Sequence, residues 1–157
     1  MGRGAGVKAV VYDRYGSPDV LQVEDVPVPS PAAGQVRVKI AATSVNLSDW
    51  ECLRGSPAYA RIGGLRVPAR RTLGSDIAGL VDDVGERVTR FRPGDEVYGD
   101  NLTLMGGFAE YALAPESALA HKIRIHIHRS FALDEVPAAL AHVGEGRALG
   151  KVVVCLS

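Results

Sequence analysis

Two short groups of polar side chains have the residue types from which a catalytic or binding site can be built. The first group follows an alternating apolar segment and consists of Asn46, Ser48 and Asp49. The second group is a loop made of Gly74, Ser75 and Asp76. Amide, hydroxyl and carboxylate groups can orient a substrate or exchange a proton with it, but they also cap loops and helices. On the residues alone, both roles stay open for the first group. The loop at 74–76 is the expected wall of any active site, since it leads into a glycine-punctuated strand.

The elements that must position these groups are mostly strands. Alternating or continuous apolar patterns predict about eight strands, at residues 7–12, 20–26, 36–40, 77–84, 96–98, 108–113, 122–129 and 151–156. A short helical turn is predicted over residues 50–53, with Ser48 or Asp49 as its N-cap. A longer helix is predicted from about Asp134 to Val143. The pattern indicates a β-rich α+β fold, a partly open barrel with one long C-terminal helix and a final strand.

Two features of the connecting segments can be predicted. Glycines at the strand corners are expected to adopt positive φ, and these are Gly79, Gly85, Gly94 and Gly99. Residues 56–72 are irregular and basic, which favours a surface loop.

Length and composition narrow the class of protein. A chain of 157 residues with 46% hydrophobic and 23% charged residues is typical of one globular domain. A formal net charge of +0 gives no electrostatic reason to expect a nucleic acid or an anionic membrane as partner. No apolar run approaches the roughly 20 residues that span a bilayer. Cys52 and Cys155 lack framework spacing, which predicts a reducing cytoplasm.

Other motifs give weaker indications. The glycine-rich segment at 2–6 does not match a dinucleotide-binding loop, because its spacing is wrong and it precedes any strand. The segment at 144–151 does not match a phosphate loop, because Glu145 replaces the first glycine and Val152 replaces the serine or threonine. His126 and His128 share a strand face, but their neighbours on that face are cations, so no metal site is expected. Cys52 and Cys155 are expected to be small core residues.

The order of the motifs resembles the medium-chain dehydrogenase/reductase superfamily, and within it the zinc-independent quinone oxidoreductase-like branch. The matching segments are residues 7–11, 44–49, 73–79, 91–97, 107–111, 131–139 and 146–154. Because these segments run through nearly the whole chain in the family's order, the resemblance implies a GroES-like fold.

The resemblance also implies that zinc is absent. The zinc-dependent branch carries Cys-His-Ser/Thr-Asp at residues 46–49 and Gly-His-Glu at residues 74–76. This chain has Asn46 and Ser75 at the positions of both zinc ligands. In the zinc-free branch the asparagine lies beside the nicotinamide and the substrate, so Asn46 is expected at the nicotinamide end of the cofactor. Glu51 stands where the best-known quinone reductases carry a tyrosine.

In the family, a Rossmann cofactor domain separates the two parts of the catalytic domain. Here residues 118–121 join those parts directly, so the resemblance implies a single GroES-like domain, 1–157, without a Rossmann domain. Its parts would be 1–119 and 122–157. The resemblance assigns Asn46, Ser48 and Asp49 as catalytic residues. It assigns the substrate cleft to Trp50, Tyr59, Ser75 and Asp76.

The function implied is that of the substrate-side domain of a zinc-free oxidoreductase. Such an enzyme uses NADP(H) to reduce a small molecule, namely a quinone, an enone or an enal. Without the cofactor domain, this chain is expected to bind NADP(H) weakly and to transfer little or no hydride. The alternative is a non-enzymatic barrel that acts as a binding or self-association module, in which a homodimer is one arrangement.

Overall fold

The computed structural model describes residues 6–62, 64–121, 127–146, 148 and 151–156. These residues form a two-stranded sheet, a seven-stranded sheet and two α-helices. The small sheet pairs β1 (Val7–Val11) with β2 (Gln22–Val26) in antiparallel register. The expected fold class is confirmed, because the chain is strand-rich and its sheets are open.

The large sheet is organised around its longest strand. The strand order is β7-β5-β4-β3-β9-β8, and β6 also pairs with β3. Its members are β3 (Gln35–Val45), β4 (Asp76–Val84), β5 (Glu96–Asp100), β6 (Tyr111–Pro115), β7 (Leu119–His121), β8 (Ile127–Ala132) and β9 (Lys151–Cys155). Strand β3 pairs antiparallel with β4, β6 and β9, so it fixes the position of three other strands.

Strand β3 extends further than the sequence pattern predicts. The alternation stops at residue 40, so the sequence predicts that the strand ends there. Instead Thr43 and Ser44 are buried and pair with Ile77 and Asp76 of β4. That expectation was wrong because these hydroxyls have hydrogen-bond partners inside the sheet, and a satisfied polar group can be buried.

Two other strands also depart from the predicted pattern. Strand β6 begins at Tyr111, three residues after the predicted start of that strand. Residues 119–121, expected to be a connection, form β7 and pair with β5. The predicted alternating strand at 122–129 lies largely outside the described residues, which include only its end within β8.

Helix α1 (Leu47–Arg54) has Asn46 as its N-cap, not Ser48 or Asp49. Asn46 has extended backbone, whereas Asp49 already lies in the first helical turn and accepts a hydrogen bond from the Asn46 N–H. Helix α2 (Val136–Gly144) follows a 3-10 turn at Leu133–Glu135, so it begins two residues after the expected Asp134. Proline is tolerated in its first turn because the N–H there has no partner within the helix. Neither helix is long and apolar enough to cross a membrane, as judged on the described residues.

The two helices pack on one end of the large sheet and close a core. Leu53 of α1, Leu140 of α2 and Val154 of β9 are fully buried there. A second core lies between β3, β4 and β6 and contains Val36, Val38 and Phe91. The first core fixes the start of α1 beside β9.

Several strand glycines are required by close packing. Gly94 has the expected positive φ of 96°, but Gly79, Gly85 and Gly99 do not adopt positive φ, so that expectation was wrong. A Cβ on Gly79 would lie 2.0 Å from the carbonyl oxygen of Lys39 on the neighbouring strand. A Cβ on Gly85 would come equally close to the carbonyl oxygen of Ala32, and a Cβ on Gly99 to that of Ala118. Glycine therefore allows the backbones to approach each other.

This packing predicts the effect of adding one methyl group. Gly79→Ala should lower the free energy of unfolding by about 1–3 kcal/mol, since β3 or β4 must shift to admit the Cβ. Gly16→Ala is the matched control, because its Cβ would meet only the side chain of Val20. Urea unfolding measures both, and equal losses in the two variants would contradict the packing explanation.

Candidate functional site

The buried carboxylate of Asp49 joins the two polar groups of the sequence. Its Oδ2 accepts a hydrogen bond from the Asn46 backbone N–H at 2.8 Å, and its Oδ1 accepts one from the Gly74 N–H at 2.9 Å. The side chain is completely buried. The carboxylate therefore connects the start of α1 to the loop at 74–76.

The surroundings of Asp49 affect its ionisation in opposite directions. Burial raises the pKa of its carboxyl to about 7, and the negative charge of Asp76 adds to that increase. Backbone N–H groups of Asn46, Gly74 and Ser75 oppose it by stabilising the ionised form. The burial effect is the larger one.

Asn46 is held from two sides at the end of β3. Its Nδ2 donates to the hydroxyl of Ser75 at 3.1 Å, and its Oδ1 accepts from the Nζ of Lys151 at 2.9 Å. Asn46 is half-buried, whereas Ser75 is buried. Neighbours on β9 and on the loop at 74–76 therefore fix the amide in one orientation.

Lys151 and Ser44 are members of this site that the sequence pattern did not single out. Lys151 forms an ion pair with Asp76, which also accepts a hydrogen bond from the Ser44 hydroxyl. Burial by itself would raise the pKa of Asp76, but hydrogen bonds from Lys151, Ser44 and Asn46 outweigh it and lower that pKa. One signal was available, since Lys151 is the charged residue at the start of an otherwise apolar strand.

The other predicted site residues lie in different surroundings. Ser48 is half-buried in the first turn of α1. The ring of Trp50 lies against Gly144 of α2, where a Cβ would come within 2.5 Å of it, and the Arg54 guanidinium lies 5.4 Å from the ring. The exposed Tyr59 donates a hydrogen bond to Glu51, which raises the pKa of the Tyr59 hydroxyl. The structure brings together Asn46, Asp49, Ser75 and Asp76, and the cleft roles of Trp50 and Tyr59 stay predictions.

The described residues include no cluster of three or more His, Cys, Asp or Glu side chains that could hold a metal ion. His126 and the side chain of His128 lie outside the part of the chain that the structure describes. Cys52 is half-buried and Cys155 is exposed, so the expectation of a core position was wrong for Cys155. It lies near the end of β9, where the alternation points its side chain to solvent.

The donor set fits only one end of a dinucleotide. A half-buried amide beside a lysine and two hydroxyls suits a ring that bears a carboxamide. The link from β3 to α1 is Asn46 alone, without the glycine-rich turn that binds a pyrophosphate. The residues described here thus fit the nicotinamide end and not the rest of the cofactor.

Comparison with known proteins identifies the family. The model of the alcohol dehydrogenase GroES-like domain matches residues 32–124, and the model named zinc-binding dehydrogenase matches residues 116–154. The chain belongs to the alcohol dehydrogenase GroES-like domain family. The resemblance to the medium-chain dehydrogenase/reductase superfamily is thereby confirmed.

Several relatives with which the chain aligns are named quinone oxidoreductases. The chain is 41% identical over 111 residues to the quinone oxidoreductase of Lama guanicoe, which covers 70% of this chain and 32% of that protein. It is 38% identical over 114 residues to the one of Mus musculus, with 72% and 32% coverage. The chain thus spans about a third of the length of the curated relatives that it matches.

Solved structures agree on the fold. The quinone oxidoreductase of Coxiella burnetii superposes with a TM-score of 0.65 and 30% identity, over 75% of this chain and 37% of that one. A human synaptic vesicle membrane protein VAT-1 homolog-like structure superposes with a TM-score of 0.85 over 98% of this chain and 99% of that chain. At 10% identity, this second likeness concerns the fold alone.

The ionisation of Asp49 predicts a dependence of stability on pH. Because the folded state holds its proton up to about pH 7 while the unfolded carboxyl releases it near 3.8, this group contributes most stability below pH 4. Its contribution then falls as the pH rises to about 7. Asp49→Asn should lower the free energy of unfolding at pH 5 by about 1–3 kcal/mol, since a backbone N–H loses its acceptor. The difference from the wild type should be smaller at pH 8.

Urea unfolding at pH 5 and pH 8 measures this change. The exposed Asp134→Asn is the control for loss of a surface carboxylate. If the difference in the free energy of unfolding between wild type and Asp49→Asn instead grows from pH 5 to pH 8, the backbone N–H groups affect the pKa of Asp49 more strongly than burial does.

Proposed function

We propose that this chain is the substrate-side domain of a zinc-free oxidoreductase that uses NAD(P)H to reduce quinones or activated alkenes and carbonyls. The observation that carries the proposal is the fixed amide of Asn46, held by Ser75 and Lys151. It is supported by the quinone oxidoreductases among the chain's relatives. The chain acts as one domain whose parts are 1–119 and 122–157, and we place it in the cytoplasm, consistent with its two free cysteines.

The residues of the site act by positioning. When bound, NAD(P)H supplies a hydride to the acceptor. Asn46 orients the nicotinamide ring and the acceptor next to it, because its own amide cannot turn without losing two hydrogen bonds. Asp49 keeps Asn46 and the loop at 74–76 at a fixed separation, and Asp76 keeps Lys151 in place. Ser48, in the first turn of α1, lines the same end of the site.

The charges of the site support chemistry without zinc. An asparagine amide and a serine hydroxyl at positions 46 and 75 are poor zinc ligands compared with cysteine and histidine. The ammonium of Lys151 lies within hydrogen-bond distance of Asn46 and would repel a divalent cation. We therefore assign the electrostatic role at this position to Lys151.

A second candidate function rests on a different surface. The segment after α1 exposes large apolar side chains, with Ile62 83% exposed and Leu65 78% exposed. Tyr59 and Val67 add to it. Such a surface favours association, so a non-enzymatic binding or self-association module, including a homodimer, is the alternative.

The proposal predicts the catalytic activity of this chain and of a chimera into which a nucleotide-binding domain is inserted. The chain alone should oxidise NADPH negligibly in the presence of 9,10-phenanthrenequinone, because its described residues fit only the nicotinamide end. Insertion of a family nucleotide-binding domain between His121 and Lys122 should create NADPH-dependent quinone reduction. Asn46→Ala should lower kcat/KM of that chimera by about 10²-fold, a typical effect of lost positioning.

Absorbance at 340 nm follows both reactions. Glu24→Gln, on β2 in the small sheet, is the control for the chimera. Robust turnover by the chain alone would contradict the expected weak cofactor binding, and a folded but inactive chimera would contradict the oxidoreductase assignment.

The alternative function predicts self-association through the segment after α1. Ile62→Ser combined with Leu65→Ser should convert any dimer to a monomer and reduce binding of an apolar fluorescent probe. Sedimentation velocity and probe fluorescence measure these effects. A wild-type chain that sediments as a monomer and binds no probe would rule this function out.

A further inference from the structure

A cavity of about 250 Å³ lies on one face of the large sheet, next to the site of Asn46. Side chains two residues apart on a strand point to the same face, and four neighbouring strands each contribute such residues. Its principal lining residues are Ala42, Ser44, Asp76, Ala78, Tyr98 and Val153. Lys151 and Asp100 also line the cavity, and they add an ammonium and a second carboxylate to it.

The register of the strands explains why a cavity forms here. Ala42 of β3 lies opposite Ala78 of β4, which in turn lies opposite Tyr98 of β5. Two alanines side by side leave space above the sheet, and the ring of Tyr98 borders that space. The floor of the cavity is therefore flat and apolar, which suits the face of a planar ring.

The polar groups lie together in the neighbouring row. Ser44 is opposite Asp76 on one side and Val153 on the other, and Lys151 is two residues before Val153. An ammonium has three N–H donors. Two of those of Lys151 reach Asp76 and Asn46, but the third lies 3.5 Å from the Ser44 hydroxyl, at the limit of a hydrogen bond. Lys151 can therefore donate a stronger hydrogen bond to a ligand.

The charges that line the cavity favour a neutral ligand oxygen over an anionic one. Lys151 is already paired with Asp76, so an anionic ligand would meet a carboxylate beside the lysine. A neutral carbonyl oxygen accepts a hydrogen bond from Lys151 without that repulsion. A volume of about 250 Å³ is near the small end of ligand pockets and suits one compact ring system.

We infer that this cavity binds a planar ring that bears a neutral carbonyl group, and that Lys151 donates a hydrogen bond to the carbonyl oxygen. The inference rests on the proposed function, because it identifies the cavity as the place where the acceptor lies. Lys151 then withdraws electron density from the acceptor, which makes its ring a better hydride acceptor. The same lysine contacts Asn46, so the acceptor lies beside the nicotinamide end of the site.

The test compares two ligands of the same shape on the full chain. Duroquinone and durene both carry four methyl groups on a six-membered ring, but only duroquinone has carbonyl groups. Titrations followed by the backbone amide NMR shifts of Ala78, Tyr98 and Val153 give both dissociation constants. We expect duroquinone to bind about tenfold more tightly than durene, as one hydrogen bond to a charged donor allows. Lys151→Met should abolish this preference, and Lys151→Arg should retain part of it.

Two further variants keep the test decisive. Lys39→Met removes an exposed lysine on β3 outside the cavity and should retain the preference. Ala78→Leu fills the cavity without changing Lys151 and should weaken binding of both ligands, so it tests the location even if Lys151→Met does not fold. Equal binding of both ligands by the wild type, an unchanged preference in Lys151→Met, or unchanged binding in Ala78→Leu would overturn the inference. These results test only the role of the cavity and of Lys151. The oxidoreductase proposal is tested separately by the chimera, and a chimera that binds quinone but does not reduce it would contradict that proposal.

Discussion

A carboxylate without access to water fixes the arrangement of this protein's polar site. Asp49 is completely buried and accepts hydrogen bonds from the backbone N–H groups of Asn46 and of Gly74, which lies 25 residues after Asp49 in the chain. Removing a carboxylate from water is unfavourable unless its oxygens have partners, so α1 and the loop at 74–76 must remain close for the fold to persist. Because Asn46 and Ser75 lie on these two segments, the same constraint that satisfies Asp49 also brings the amide and the hydroxyl within hydrogen-bond distance.

The second polar network differs from the first in its exposure. Asp76 and Lys151 are only partly buried, and solvent screens their attraction, so this pair contributes little to stability by itself. Its effect is geometric, since Asp76 directs the lysine to Asn46 and to the cavity above the alanines. A buried carboxyl group that connects two segments and a half-exposed ion pair that orients Lys151 thus lie on either side of Asn46.

Sequence reasoning identified the family and the strand-rich fold, and it singled out several residues of the candidate site. Asn46, Ser75 and Asp76 were found because their positions match family motifs, and alternation predicted strands such as residues 36–40. Sequence reasoning failed where contacts between segments distant in the chain determine the local structure. The polar Thr43 and Ser44 continue β3 because their partners come from β4, and Gly79 is needed because of the Lys39 carbonyl on the next strand. Lys151 could not be placed, because only the pairing of β9 with β3 brings it to Asn46.

The pairing of β9 with β3 has a consequence for folding order. Lys151 is 105 residues from Asn46 and 75 residues from Asp76 along the chain, whereas Asn46, Asp49 and Ser75 lie within 29 residues of one another. Contacts between distant residues require a larger loss of chain entropy and form later than local ones. We therefore expect the part of the site around Asp49 to assemble before β9 pairs with β3. The pairing of β9 with β3 brings both Lys151 and Val153 to the cavity, so the charge balance of Asp76 and the ligand-binding shape of the site depend on the same long-range contact.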